Sequence, residues 1–494
     1  MKPKDIHVIG AGLGGLAVSC LLASEGHRVT VFEKNDSPGG KINRVKSDNF
    51  RFDTGPSLLT MPFVLKELFN RCSANIDDYL SLKQVEPICR YFYRDGTVFT
   101  CYQNLENTLD EIGQIAPADV DTYKEFLQYS ADLYDRTKDA FLFNPLYGFR
   151  DLSNLNLLDF FRIDAFTTVS ERVDQYFESP YLRKFFKRFT TYNGSSPYRA
   201  PATLNVIPHV ELTMGGYYVE GGMYGIVTAL HQLAGDLGVE FRFGTAIGKI
   251  EVKDKNVQAI FDSEGNEYPA ELVVSNSDAA ETYLELLDDE AVPDIKKKNI
   301  KKLEPSCSGF VVLLGINKRY QQLSHHNIFF SEDYEKEFHR IFSEKVMPED
   351  PTIYIADTSV SNPSHAPEGG SNLFILVNAP YLSDRYDWEE HSTEYADFVV
   401  SELEKRGLDN LGECIVHQTI INPLDFHEKY RSNRGSIYGT SSNSRFAAFL
   451  RPGNKSREIE GLYLTGGSTH PGGGIPLVIL SAFHAMELIE RYES

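Results

Sequence analysis

The segment Gly10-Ala-Gly12-Leu-Gly-Gly15 stands between the apolar run Asp5-Ile-His-Val-Ile and a helical pattern carried by Leu16, Leu21 and Leu22. A strand, a glycine turn and a helix in that order leave the chain few alternatives. Gly10 permits the tight turn, and Gly15 lets the helix pack closely on the strand. A second strand from Arg28 to Glu33 completes a β-α-β unit. The amides and dipole at such a helix start favour a pyrophosphate, which Gly12 allows to approach the backbone. Glu33, at the end of the second strand, is placed to accept both hydroxyls of a ribose and to disfavour a 2′-phosphate. A dinucleotide site is expected, with Leu13, Gly14 and Lys34 beside the residues already named.

A chain of 494 residues exceeds the roughly 250–300 residues at which one hydrophobic core stops growing. Strand-like alternation returns at 217–220, 239–243, 247–252, 257–261 and 272–275, and segments 309–316, 352–357 and 373–379 suggest a further sheet. Between them, 105–189 reads as mostly helical, interrupted at Pro117, Pro145 and Pro180. The expected fold is α/β: a Rossmann-like nucleotide domain over 1–70, 217–280 and 445–494, interleaved with a mixed β-sheet substrate domain over 71–104 and 281–444. A helical cap over 105–216 completes it.

The net charge of −21, from 70 acidic against 49 basic side chains, repels phosphate backbones, so nucleic acid is not an expected partner. Six cysteines without a C-x-x-C pair, and no signal peptide before Gly10, fit reduced thiols in a cytoplasmic protein. No apolar run approaches the roughly 20 residues of a spanning helix, so membrane contact is expected to be peripheral.

Two further turns bear on the cofactor. Pro38-Gly39-Gly40-Lys41 is similar to the Gly-Gly-Arg/Lys turn that flavoproteins of the amine-oxidase and glutathione-reductase type carry, which implies FAD. No second strand–glycine–helix unit follows, as a pyridine-nucleotide-dependent reductase would need. Near the C-terminus, Gly461-Leu-Tyr-Leu-Thr-Gly466-Gly467 and Pro471-Gly-Gly-Gly474-Ile475-Pro476 lead into a last helix from about 476 to 490. The amides of that helix start suit negative charge at the N1–C2=O edge of a reduced flavin. Gly40, Lys41, Gly55, Pro56 and Ser57, with Ile247, Gly466, Gly467, Gly474, Ile475 and Pro476, are expected to bind the cofactor.

Phe52-Asp-Thr-Gly-Pro-Ser57, Phe149-Arg150-Asp151, His325-His326, Arg451-Pro-Gly-Asn454 and Thr465-Gly-Gly-Ser-Thr-His-Pro-Gly472 resemble segments of bacterial-type carotenoid (phytoene) desaturases. Where amine oxidases usually carry an acidic residue, Gly467 stands, as a small residue does in carotenoid desaturases. The resemblance implies noncovalent FAD and desaturation of a C40 polyene at the membrane surface. Arg51 to Pro62 and Pro87 to Gly96 look more like the hydroxycarotenoid 3,4-desaturase branch, which would act on a 1-hydroxylated acyclic or monocyclic carotenoid. A phytoene desaturase, a flavin amine oxidase and a non-catalytic isoprenoid-binding escort stay open as alternatives.

Desaturation removes a hydride to the flavin and a proton to a positioned base. Asp151 is the candidate acid or base, tuned by Arg150, and His470 in the C-terminal turn is a third catalytic candidate. His325 and His326 cannot both face one site on a strand and lack a third metal ligand, so no metal site is expected. Reoxidation falls to a quinone or oxygen. The stretch 181–189 carries Leu182, Phe185, Phe186 and Phe189 at helical spacing with Arg183, Lys184, Lys187 and Arg188 between them. Two uses compete for it: lying in a bilayer interface, or burying its stripe in the core.

Overall fold

The computed structural model describes residues 2–47, 49–147, 163–444 and 451–493. Strands Asp5–Ile9 and Arg28–Phe32 pair in parallel, with Glu240–Arg242 beyond the second. On the other side of the first strand lie Leu272–Ser275 and then Leu462–Leu464, making a five-stranded parallel sheet. Ile9 pairs with Ser275 and Ser275 with Leu464, so three strands end in one row. The helix Leu13–Ser24 is buried at every residue from Leu13 to Leu22, as a helix apolar all round must be. It packs against the helices Gly225–Asp236 and Ile475–Tyr492.

A second sheet has seven strands, in the order Ile415–Ile421, Ser308–Ile316, Ser371–Ala379, Ile353–Asp357, His326–Phe329, Cys89–Phe92 and Val98–Cys101. Only the pairing of His326–Phe329 with Cys89–Phe92 is parallel. Ser308–Ile316 is buried at all nine residues, which accounts for its unbroken apolar sequence in a strand flanked on both sides. A three-stranded meander, Ile247–Lys253, Asn256–Asp262 and Glu267–Pro269, starts with a two-residue loop. There Asp254 and Lys255 both take positive φ, +49° and +63°, the geometry that matches strand twist in a tight hairpin.

The helical layer comprises Leu105–Ile115, Val120–Phe141, Val169–Tyr176 and Pro180–Lys187 among the described residues. This α/β architecture is the one the sequence predicts. The interfacial use of 181–189 is not what the structure shows. Leu182, Phe185, Phe186 and Phe189 are at most 1% exposed, packed in an aromatic cluster with Tyr91, Phe99, Tyr123 and Phe126. The cations are engaged internally: Lys184 Nζ donates to the carbonyls of Ser331 (2.9 Å) and Glu332 (2.7 Å), and Lys187 pairs with Asp174 at 2.8 Å. Arg183 reaches the Phe177 carbonyl at 2.7 Å, and Arg188 is buried against Glu211. Pro180 at the helix start and the Ser179 cap fix a helix whose apolar stripe faces inward.

Candidate functional site

The row of strand ends is where the glycine turns meet. Gly10 N donates to the Phe32 carbonyl at 2.7 Å, and Ala11 N donates to Glu33 Oε2 at 2.8 Å. The other Glu33 oxygen accepts from Asn35 N at 2.9 Å and Asn35 Nδ2 at 2.7 Å. The acid is thereby fixed at the end of its strand although it is buried. A Cβ on Gly15 would lie 2.0 Å from the Gly10 carbonyl oxygen, so this glycine brings helix and turn together and does not itself line the cavity. Gly466 faces the first turn from the far strand at φ +105°, and a Cβ there would come within 2.8 Å of Asn276 Oδ1.

A cavity of about 670 Å³ starts on these turns and continues to the seven-stranded sheet. Gly10, Gly12, Leu13, Gly14, Glu33 and Lys34 line it, as does Ile247. So do Gly40, Lys41, Gly55, Pro56 and Ser57, and, from the C-terminal turn, Gly466, Gly467, Gly474, Ile475 and Pro476. The final helix begins at Ile475, one residue before the start read from Pro476. Lys41 Nζ donates to the carbonyls of Ser436 (3.0 Å) and Ile437 (3.2 Å), and burial pulls its ammonium down to about 8, against the opposing pull of Asp278.

Away from the turns the wall is apolar, with Ile88, Leu204, Ile207, Val210, Ile328 and Leu376. A polar group interrupts it. Ser57 Oγ and Tyr354 OH share a short hydrogen bond, and Tyr354 OH also bonds His326 Nδ1 at 2.7 Å. His325, just before the strand, packs its ring 4.3 Å from that of His326, with its own Nδ1 bonded to Ser361 Oγ at 2.6 Å. Burial holds both imidazoles neutral, His325 at about 3 and His326 also far below the usual range.

Arg150 and Asp151 lie outside the described residues. His470 lines the cavity, but its Nε2 donates to the Asn144 carbonyl at 3.1 Å and its ring stacks on His484. Burial takes it down to about 4.

Two residues of the cradle were not singled out from sequence. Asn276 follows Leu272–Ser275, at the strand-end position that corresponds to Gly10, and its side chain lies against both glycine turns. Arg451, noted only as part of a motif, lines the cavity and donates to the carbonyls of Gly467 (3.3 Å) and Thr440 (2.8 Å).

The model of flavin containing amine oxidoreductases matches residues 13–489. The chain belongs to this family. It is therefore a flavin-dependent oxidoreductase. Within reach by sequence, a 4,4'-diapolycopene oxygenase of Methylomonas sp is 37% identical over 484 residues, covering 97% of this chain and 96% of that protein. A 4,4'-diaponeurosporene oxygenase of Staphylococcus aureus (strain bovine RF122 / ET3-1) is 34% identical over 502 residues, with 99% of each chain covered. Among solved structures, cyclohexylamine oxidase from Brevibacterium oxydans IH-35A superposes with a TM-score of 0.65 at 14% identity, covering 100% of both chains. An oxidoreductase from Methanosarcina mazei gives 0.64 at 17%, covering 98% of this chain and 100% of its own. At these identities the structures speak for the shared flavoprotein fold alone.

Proposed function

We propose that this flavin oxidoreductase binds FAD noncovalently and oxidises a carotenoid lying in the apolar half of the cavity. The observation that carries the reading is the continuity of that cavity, from glycine turns built for a dinucleotide to an apolar wall between sheet and helical layer. The names of the two relatives supply the substrate class.

The residues fit the cofactor. A Cβ on Gly14 would stand 2.6 Å from Asn276 Oδ1 and 3.0 Å from Gly466 N, so this glycine lets the two turns close on each other, and Gly10, Gly12 and Gly14 line the cavity where a pyrophosphate would lie. Gly10, Gly12, Leu13 and Gly14 serve the pyrophosphate, while Glu33, Lys34 and Ile247 serve the adenosine. Gly40, Lys41, Gly55, Pro56, Ser57 and the Gly466, Gly467 and Gly474–Pro476 turn hold the isoalloxazine. Cys89 is the cysteine among the lining residues, and it stands on the strand Cys89–Phe92 and not on a glycine turn. The bound flavin supplies the hydride acceptor, with quinone or oxygen taking the electrons onward.

Asp151 stays the proposed proton acceptor with Arg150 beside it; Asp151→Asn with full turnover would remove it. His470, already donating to a backbone carbonyl, anchors the C-terminal turn. Peripheral membrane contact is assigned to Phe166, which lines the cavity wall and is 52% exposed, together with Phe63, 44% exposed beside Phe143. Phe63→Ser/Phe166→Ser lowers sedimentation with liposomes if these residues meet the bilayer.

Oxygenation of a diapocarotenoid is the reading the relatives' names favour. Desaturation at C3–C4 of a 1-hydroxylated C40 carotenoid, the narrower expectation from sequence, is not supported by those names. The FAD-loaded enzyme in liposomes, given 4,4'-diaponeurosporene, 4,4'-diapolycopene, lycopene or 1-hydroxylycopene, separates them by mass. Gain of oxygen on the diapocarotenoids, drawn from water after hydride transfer or from O2, supports oxygenation, and loss of two hydrogens from 1-hydroxylycopene supports desaturation. Peroxide formation with amines and no change in any carotenoid would refute both.

A further inference from the structure

The segment Arg451-Pro-Gly-Asn454 is stitched to the C-terminal turn along its length. The Pro452 carbonyl accepts from His470 N at 2.9 Å, and Asn454 Nδ2 donates to the carbonyls of His470 (2.9 Å) and Leu464 (3.3 Å). Arg451 Nη1 donates to the Gly467 carbonyl at 3.3 Å. Gly472, at φ +143°, gives the guanidinium room: a Cβ there would lie 3.3 Å from its Cζ and Nη1 and 3.6 Å from its Nε. Three bonded atoms at nearly equal distance place the face of the guanidinium against this glycine. The same turn opens the helix Ile475–Tyr492, whose first amides no side chain caps.

Arg451 lines the cavity with the 8% of its surface that packing leaves open. Its two hydrogen bonds go to the main-chain carbonyls of Gly467 and Thr440, neither of which carries charge. Among the described residues no carboxylate pairs with it, and burial alone acts on it, pulling it down to about 10, where it is still charged at neutral pH. Arg188, buried to the same degree, has Glu211 as its counter-ion. Burying a cation without such a partner is costly. Here the cation and a helix N-terminus, which itself favours negative charge, meet at one turn on the cavity wall. Both are left for an anion that comes with the bound group.

We infer that Arg451 is the counter-ion of the reduced flavin. Uptake of a hydride, which is two electrons and one proton, adds one negative charge to the neutral oxidised ring, and that charge spreads over the N1–C2=O edge. The guanidinium and the first amides of the Ile475–Tyr492 helix stabilise it together. The protein therefore binds reduced flavin more tightly than oxidised flavin, which raises the reduction potential and favours hydride removal from a C–H bond. The inference rests on the placement of the isoalloxazine at the Gly466–Pro476 turn proposed above, and it holds for whichever carotenoid is the substrate.

The test uses the purified flavin-loaded protein without carotenoid and reads two properties of the flavin. Sulfite adds to the oxidised ring and leaves the same negative charge at N1–C2=O, so its dissociation constant, from bleaching of the visible flavin band, measures how well that charge is held. The midpoint potential, from equilibration with a reference dye, measures it independently. A hydrogen bond to a charged group is worth about a factor of ten or more. Arg451→Met is expected to weaken sulfite binding about tenfold and to lower the midpoint potential by about 30 mV, the same factor for a two-electron couple. Arg451→Lys, which keeps the charge and loses the planar fork, is expected to recover most of both. Unchanged sulfite affinity and potential in Arg451→Met would overturn the inference and leave Arg451 as an anchor of the Gly467 carbonyl. If Arg451→Met does not retain flavin, the wild-type titration decides alone: bleaching by millimolar sulfite supports the counter-ion, and its absence overturns it. A wild-type protein that carries no flavin and takes up none when FAD is added would overturn the FAD reading, and the counter-ion with it.

Discussion

Glu337 lies behind the cavity wall, 2% exposed, on the helix Tyr334–His339. Its Oε2 accepts from Ser331 Oγ and Thr352 Oγ1, each at 2.7 Å, and its Oε1 accepts from Thr352 N at 3.1 Å. No cation faces it in this set, so burial dominates and lifts the carboxyl from 4.5 to about 7. In the unfolded chain the group loses its proton near 4.5; in the folded protein it keeps it until about 7. The folded state therefore binds more protons across that window, and stability falls as pH rises through it. Its contribution is fully present below 4.5 and is lost as pH rises through about 7. At about 1.36 kcal/mol per pH unit, the difference amounts to about 3 kcal/mol.

Glu337→Gln removes the titration and keeps the shape. The amide oxygen still accepts from Thr352 N, and the amide nitrogen donates to the hydroxyls of Ser331 and Thr352, whose protons can turn away. Thermal melts of wild type and variant between pH 4.5 and 8.5 isolate the term, because every other titrating group is common to both. Relative to the variant, wild type is expected to lose about 3 °C in Tm over that range for a chain of this length melting as one unit. The loss is concentrated between pH 5 and 7. A difference that stays constant with pH, or one that moves in favour of wild type, would refute the argument that burial outweighs the three donors.

Gly15→Ala places a methyl 2.0 Å from the Gly10 carbonyl oxygen; the expected result is about 1–3 kcal/mol of overpacking, read as a lower Tm and loss of flavin absorbance after gel filtration. Lys184→Glu/Lys187→Glu is expected to lower Tm while leaving binding to anionic vesicles unchanged, because both ammonium groups are bonded inside the protein; weakened vesicle binding at unchanged Tm would restore the interfacial reading. Arg188→Met strands the Glu211 carboxylate in the core, with about 3–5 kcal/mol lost, and Arg188→Met/Glu211→Leu recovers most of it in urea melts; a double variant no better than the single would show that the pair is held by more than mutual charge.

What the sequence makes legible and what it hides divide along a physical line. Gly10, Gly12, Gly15 and Glu33 could be read because their requirements are local: a turn, a close approach and an acid at the next strand end all fall within one β-α-β unit. The turn from Gly466 to Pro476 could be read for the same reason. Asp254 and Lys255 mark the other case, a hairpin turn with both residues at positive φ and no glycine to announce it. The chain placed the strands around it only by their alternation. Arg188, Glu211, His326 and Tyr354 come from four separate elements, and their meeting depends on registers such as Ile328 opposite Tyr354 and Tyr91. Spacing along the chain carries no trace of such a meeting. The helical periodicity that showed Arg188 among four cations between apolar residues served a bilayer and a core equally well. What separated them was Glu211, 23 residues away, and a carboxylate at that distance has no sequence rule to flag it. A polar cluster inside an apolar cavity is thus the kind of feature that only tertiary structure discloses.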